Sequence, residues 1–428
     1  MSVTVAVGTH WGDEGKAKVV DYLTERNDIV VRFQGGANAG HTVIADGEKW
    51  VFHQIPVGIL HPGKTCVIGN GVVFDPKEFL GELDQVVRRG IDVEGRIWIS
   101  DRAALVMAYH KQIEAIREAA LGEGAIGTTK RGIGPTYLDK ISREHGLRVA
   151  DLLRPDAFRK RLRDIVADKN AVLTKVYGAA PLSAETIAEE CLEYAKRIAP
   201  FVADTATLLH DALRQGKRVL CEGAQGSLLD VDHGTYPFVT SSNTSAGGAC
   251  TGSGIGPTAI THVIGIVKAY TSRVGNGPFP TEFDKEMSDR MRELWDEYGS
   301  TTRRPRRCGW LDGVVLQYSA RINGLTGLAI TAFDRLDSLP ELKIGTRYTL
   351  DGREVRTVPA RTEDFERVVA GYETLPGWQR PTSDVRQFGE LPENAKRYIR
   401  KVEEVAGVPV FLVGVGPERA QMIKLRDF

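Results

Sequence analysis

Residues 8–18 read Gly-Thr-His-Trp-Gly-Asp-Glu-Gly-Lys-Ala-Lys, directly after an apolar run at 3–7 and directly before Val19 and Val20. The pattern predicts a strand, a glycine-rich turn and the start of a helix. Glycines let backbone N–H groups approach phosphate oxygens, and a helix N-terminus favours negative charge. A bare phosphate loop needs little beyond Lys16. Here Asp13 stands in the turn, three residues before that lysine. A carboxylate in that place repels phosphate unless it holds a metal ion or accepts a proton, so the segment points to chemistry. It is not the G-x-x-x-x-G-K-[ST] loop, because His10 takes the first glycine position and Ala17 the hydroxyl position. A turn made glycine-rich for packing alone is the competing reading of this one segment.

The second segment narrows the choice. Val30-Val31-Arg32-Phe33 predicts a strand that ends in Gln34-Gly35-Gly36-Ala37-Asn38-Ala39-Gly40-His41-Thr42. Two strands ending in polar, glycine-rich turns fit an open α/β sheet, whose ligands gather at the carboxyl ends of strands. Further apolar runs at 67–73, 96–99, 218–221, 262–268, 327–333 and 408–413 read as buried strands. Asp75-Pro76 reads as an N-cap with proline at N1, followed by Phe79, Leu83, Val86 and Val87 on one face and a stop at Gly90. Tyr109, Ile113, Ile116 and Ala120 form a similar stripe, and 183–215 holds one or two more helices. Asp46-Gly47 and Asp351-Gly352 read as hairpin turns, and 359–395 as loop. No linker or repeat divides the chain. The expectation is a single α/β domain over 1–428, P-loop NTPase-like, around a mostly parallel central sheet with helices on both faces and helical segments inserted near 76–215.

Composition excludes several classes. The 56 basic residues balance 56 acidic ones, so no bulk field argues for nucleic acid or an acidic membrane. Anionic ligands then depend on local clusters, of which Thr302-Arg303-Arg304-Pro305-Arg306-Arg307 is the densest. Five scattered cysteines without C-x-x-C spacing suggest reduced thiols. No apolar stretch approaches the roughly 20 residues of a membrane span, and the first residues lack a basic-then-apolar leader. The cytoplasm is the expected location.

The two segments together resemble the adenylosuccinate synthetase family, ligases that join aspartate to inosine monophosphate (IMP). The resemblance continues through Ile126-Gly127-Thr128-Thr129, Arg131-Gly132-Ile133-Gly134-Pro135 and Glu222-Gly223-Ala224-Gln225-Gly226. Further matches are Asp232-His233-Gly234-Thr235-Tyr236-Pro237, Thr240-Ser241-Ser242-Asn243-Thr244, Gly277-Pro278-Phe279-Pro280-Thr281-Glu282 and Arg304-Pro305-Arg306-Arg307-Cys308-Gly309-Trp310. It implies a two-step reaction: GTP phosphorylates O6 of IMP, and the aspartate amine then displaces phosphate. By the resemblance Asp13 is the base that removes the N1 proton, His41 the acid beside the transferring phosphoryl group, and Lys16 and Gln225 further catalytic residues. Asp13 and the Gly40 carbonyl are implied ligands of one Mg²⁺ per subunit. IMP contacts are implied for Asp13, Asn38, Ala39, Gly40, His41, Thr129, Gln225, Thr240 and Arg304, with Arg143 reaching across from a partner subunit of a homodimer. Residues Ser300, Thr301, Thr302, Arg303, Arg304, Pro305 and Arg306 match the aspartate loop. GTP contacts are implied for Gly12, Asp13, Glu14, Gly15, Lys16, Ala17 and Lys18. They extend to Gly40, His41, Thr42, Arg306, Ala332, Phe333, Asp334, Gly414, Val415 and Gly416.

Four positions depart from the family's pattern. Ala17, Lys130 and Arg303 stand where glycine is common, and a positive φ at Ala17 would cost about 1 kcal/mol. Ala332 stands where a lysine stem usually covers the guanine, while the partner aspartate, Asp334, is kept. A regulatory GTP switch is a second reading, but it needs a loop hydroxyl that Ala17 lacks. A catalytically dead family member acting as a nucleotide sensor or scaffold is a third, against which the retention of Asp13 and His41 argues; a relative acting on a 2-amino-6-oxopurine is a fourth, expected to lack the aspartate found at 13.

Overall fold

A computed structural model describes residues 2–45, 47–122, 125–299 and 304–427. Ten strands form the central sheet. From one edge they run Met422–Lys424, Val410–Gly414, Gly327–Thr331, Ile260–Lys268 and Ser2–Gly8, and then Arg218–Glu222, Ile29–Arg32, Thr65–Ile68, Ile97–Ser100 and Val202–Ala203. All pairs are parallel except the first, where Met422–Lys424 runs antiparallel to Val410–Gly414. Strands buried on both faces need apolar residues at every position, which is why they read as unbroken runs. Val3, Val5 and Val7 pack into one core, together with Val31, Val219 and Val267. Ala6, Val30, Leu220 and Ile264 pack into the other.

Helices cover both faces. Lys16–Thr24, Pro76–Arg88 and Pro155–Lys175 bury apolar residues in the second core, and Gly313–Asn323 and Glu393–Ala406 in the first. The Asp75 carboxylate caps its helix by accepting Glu78 N–H, as its sequence position suggests. The 183–215 stretch resolves into Ala184–Ile198 and Thr205–Arg214. Strands His41–Ala45 and Glu48–Phe52 pair antiparallel; Asp46, part of the expected Asp46-Gly47 turn, lies outside the described residues. Asp351-Gly352 turns between Glu341–Leu350 and Arg353–Val355.

Several expectations are corrected. Val87 is 51% exposed and Leu80 takes its place in the core. Ala120 is exposed, while His110, Glu114 and Glu118 of the same helix are buried. The run 67–73 splits at Gly69 to Gly71 into two strands, and the strand begun at Gly327 stops at Thr331. Residues 359–395 are not mainly loop: Val369–Pro376 pairs antiparallel with Glu341–Leu350. Its half-exposed face and internal glycine hid the alternation. Ala17 is the second residue of the helix Lys16–Thr24, so it carries no positive-φ strain. Lys130 does, with φ 56°.

Candidate active site

The strand Ser2–Gly8 lies between Arg218–Glu222 and Ile260–Lys268, and the chain leaves its carboxyl end as the turn before the helix Lys16–Thr24. Gly12 (φ 83°), Asp13 (59°) and Gly15 (76°) all take left-handed backbone there. Glycine adopts it freely; Asp13 is a residue held in an uncommon conformation at the mouth of the sheet. Glu14 is buried and turns inward. Its Oε1 accepts the His10 and Gly12 N–H groups at 3.0 Å each, and its Oε2 pairs with Lys16 Nζ at 2.5 Å. The internal carboxylate therefore shapes the loop and holds the lysine.

A cleft of about 810 Å³ opens over these carboxyl ends. It gathers Gly12, Asp13, Gly15, Lys16, Ala17 and Lys18 from the first turn, and Asn38, Ala39, Gly40, His41 and Thr42 from the second. Thr129, Gln225 and Thr240 line it as well, as do Arg306, Ala332, Asp334 and Gly416. Asn38 Nδ2 lies 3.4 Å from Thr240 Oγ1. Gln225 is forced into left-handed backbone, φ 58°, and its buried Oε1 has no partner among the described residues. Thr42 Oγ1 and His41 Nε2 are likewise buried without partners. Buried polar atoms are normally hydrogen-bonded, so this convergence marks a ligand site.

His41 is fixed from behind. Its Nδ1 donates to Glu222 Oε1 at 2.5 Å, and Glu222 Oε2 accepts Val57 N–H at 3.0 Å. Burial pushes the imidazole below its usual range, against the pull of the Glu222 hydrogen bond. Sequence reasoning did not single out Glu222 as a partner of His41. A glutamate closing the buried apolar run Val219-Leu220-Cys221 was the available signal.

At the other end of the cleft Ala332 adopts φ 52° and leads into the turn Phe333–Leu336. The Phe333 ring is turned away into the core, stacked on Trp378 at 4.7 Å, and Val415 is buried too. These two residues can meet a ligand only through backbone. Lys18 Nζ donates to the Gly416 carbonyl at 2.5 Å and the Gln421 carbonyl at 2.7 Å. Burial lowers its ammonium to about 8, with Asp334 opposing the shift. A Cβ placed on Gly414 would meet that Nζ at 3.1 Å.

Not all expected residues meet in the cleft. Arg304 Nη1 donates to the Gly127 carbonyl at 3.0 Å and borders an adjoining hollow of about 420 Å³ with Pro305. Arg143 ends the helix Ile133–Ser142 at φ 69°, exposed and outside the cleft. Ser300, Thr301, Thr302 and Arg303 lie outside the described residues. Asp13 and Gly40 both face the cleft. Hard oxygen donors of this kind suit Mg²⁺ shared with a nucleotide's phosphates, which needs no all-protein cage.

A carboxylate in a phosphate loop, opposite a buried histidine and at the crevice of a parallel sheet, defines a nucleotide-dependent enzyme of the α/β class. The comparisons with known proteins name its kind. The adenylosuccinate synthetase family profile matches residues 5–423. An adenylosuccinate synthetase of Myxococcus xanthus is 52% identical over 439 residues, covering 100% of this chain and 99% of the relative. One from Acetivibrio thermocellus is 50% identical with 99% of both chains covered. The fully ligated structure of the Plasmodium falciparum adenylosuccinate synthetase superposes with a TM-score of 0.94 at 37% identity, covering 99% of this chain and 100% of that one. A cyanophage S-2L succinoaminodeoxyadenylate synthetase, 20% identical with a TM-score of 0.63, shares the fold. The chain belongs to the adenylosuccinate synthetase family. It is a ligase that uses GTP to join L-aspartate to IMP, giving adenylosuccinate, GDP and phosphate.

Proposed function

We propose that Asp13 is the general base of this reaction, that His41 is its acid, and that the product forms through 6-phosphoryl-IMP. The observation that carries this reading is the convergence of His41 Nε2, Thr42 Oγ1 and Gln225 Oε1, all buried and unpartnered, on a cleft that also exposes Asp13. O6 can attack the γ-phosphorus only when N1 gives up its proton, so a carboxylate must lie at the base edge. The phosphoryl group then passes in a loose transition state, where positioning and charge neutralisation supply most of the rate. Lys16 and His41 serve that end. Because Nδ1–H is committed to Glu222, His41 can donate through Nε2 only as the imidazolium, and the approaching phosphate favours that form.

Asp13 and the Gly40 carbonyl would hold one Mg²⁺ per subunit, which when bound neutralises phosphate charge. Asn38, Thr129, Gln225 and Thr240 hold the IMP phosphate and ribose. The guanine sits between Lys18, Ala332, Asp334 and the turn at 414–416, and residues 300–306 hold aspartate. Arg143 reaches the IMP site of a second copy. Leu138 and Ile141 of its helix, 57% and 74% exposed, support that contact, since apolar side chains this open suit a covered face. The protein works in the cytoplasm; among the described residues no helix is long and apolar enough to cross a membrane. The Asp13→Ala variant tests the reading: turnover should vanish while GTP still binds.

A further inference from the structure

A chain of four alternating charges runs from the cleft into the core. Arg306 Nε donates to Asp13 Oδ2 at 2.7 Å, and Arg306 Nη1 donates to Glu297 Oε2 at 2.8 Å. The other oxygen of Glu297 accepts Lys268 Nζ at 2.8 Å and the Tyr270 hydroxyl. Glu297 is 3% exposed, yet no apolar packing explains a glutamate there. Burial alone would raise its carboxyl, but Lys268 and Arg306 outweigh burial and hold it down at about 2.

The backbone repeats the link. The Glu297 carbonyl accepts Arg306 N–H at 2.9 Å, and Gly299 N–H donates to the Arg304 carbonyl at 2.8 Å. Residues 297–299 and 304–306 thus run antiparallel beside one another, bridged at Tyr298 and Pro305. A guanidinium is planar and presents donors in a fixed fork. Holding Nη1 and Nε between two carboxylates sets its plane where it lines the cleft. An arginine held by one partner only would keep most of its rotamer freedom and bind an anion less well.

We propose that Glu297 is a positioning residue for aspartate, acting through Arg306, with Lys268 and Tyr270 as the fixed end of the chain. This rests on reading Arg306 as part of the aspartate site. It implies that Glu297→Gln, which keeps size but loses the charge, frees the guanidinium and weakens aspartate capture before it affects IMP.

The test compares steady-state constants of the full-length Glu297→Gln, Arg306→Leu and Lys268→Met/Glu297→Gln proteins. Expected for Glu297→Gln is an aspartate KM at least tenfold higher with the IMP KM within threefold, and Arg306→Leu should shift the same constant further. The double variant removes the buried cation that the single variant leaves uncompensated. It should recover thermal stability without recovering the aspartate KM, and it stands in should the single variant fold poorly. If Arg306→Leu raises the aspartate KM but Glu297→Gln does not, the positioning role is wrong. If the double variant returns to wild-type aspartate KM, Glu297 serves only the fold. Should Arg306→Leu leave aspartate KM unchanged, the reading of Arg306 falls, and the role of Glu297 with it.

Discussion

His41 Nδ1 and Glu222 Oε1 lie 2.5 Å apart in the floor of the cleft, and the other ring nitrogen, Nε2, is buried with no partner among the described residues. Burial lowers the His41 imidazole from its ordinary value in the free protein, against the pull of the Glu222 hydrogen bond. On the proposed reading, a γ-phosphate bound beside Nε2 would add negative charge there and raise it. GTP binding near neutral pH is therefore expected to take up a proton, and its affinity to fall as pH rises through the value of the complex. Titration calorimetry in two buffers of different ionisation enthalpy reads the proton directly. Equal apparent enthalpies in both would exclude protonation of His41. Glu222→Gln should lower kcat about tenfold or more, as expected when the partner of a general acid is lost.

Asp13 is expected to matter for chemistry and little for affinity. Asp13→Ala should abolish IMP-dependent turnover and leave GTP binding within about tenfold, the signature of an interaction made only in the transition state. Equilibrium binding of a GTP analogue beside single-turnover assays separates the two. Residual kcat above a tenth of the wild-type value would assign the base elsewhere.

In the proposed guanine site, the methyl of Ala332 cannot cover a purine face. Lys18 is tied to the Gly416 and Gln421 carbonyls and so shapes the turn after the strand Val410–Gly414. A side chain at 332 already adopts the left-handed backbone, so lysine there adds no new backbone strain. A stem or cation packed on an aromatic ring contributes about 0.5–2 kcal/mol. Ala332→Lys should therefore lower the GTP KM several-fold. Asp334→Ala should raise it far more and blur GTP against ATP. Equal kcat/KM for the two nucleotides in the unmodified protein would contradict the assignment of Asp334.

The exposed Arg143 and its apolar neighbours Leu138 and Ile141 predict a shared site. Arg143→Leu and Asp13→Ala proteins, each inactive, should recover partial activity when mixed, since one of the hybrid's two sites would carry both native residues. Subunit exchange shown by mass, with no return of activity, would remove Arg143 from the partner's site.

Much of this was legible in the sequence because parallel strands buried on both faces write themselves as apolar runs, and the turns after them carry Asp13 and His41. The phosphate loop, the cap at Asp75 and the strand ends all follow from local rules. What was hidden depends on distance along the chain. Glu222 is 181 residues from His41, and Glu297 meets Lys268 and Arg306 only after the sheet has formed. The strand Val369–Pro376 was hidden for another reason: it is half-exposed, and its glycine and proline read as loop. Val87 was misplaced because Leu80 and Val86 already fill that side of the helix.

The central claim is that the oxygen of IMP leaves as phosphate after receiving the γ-phosphoryl group of GTP. The direct test supplies IMP labelled with ¹⁸O at O6, together with GTP and L-aspartate, and weighs the phosphate released. One ¹⁸O per phosphate, formed in step with adenylosuccinate and only when both IMP and aspartate are present, is the predicted result. Unlabelled phosphate, or phosphate released without IMP, would contradict it.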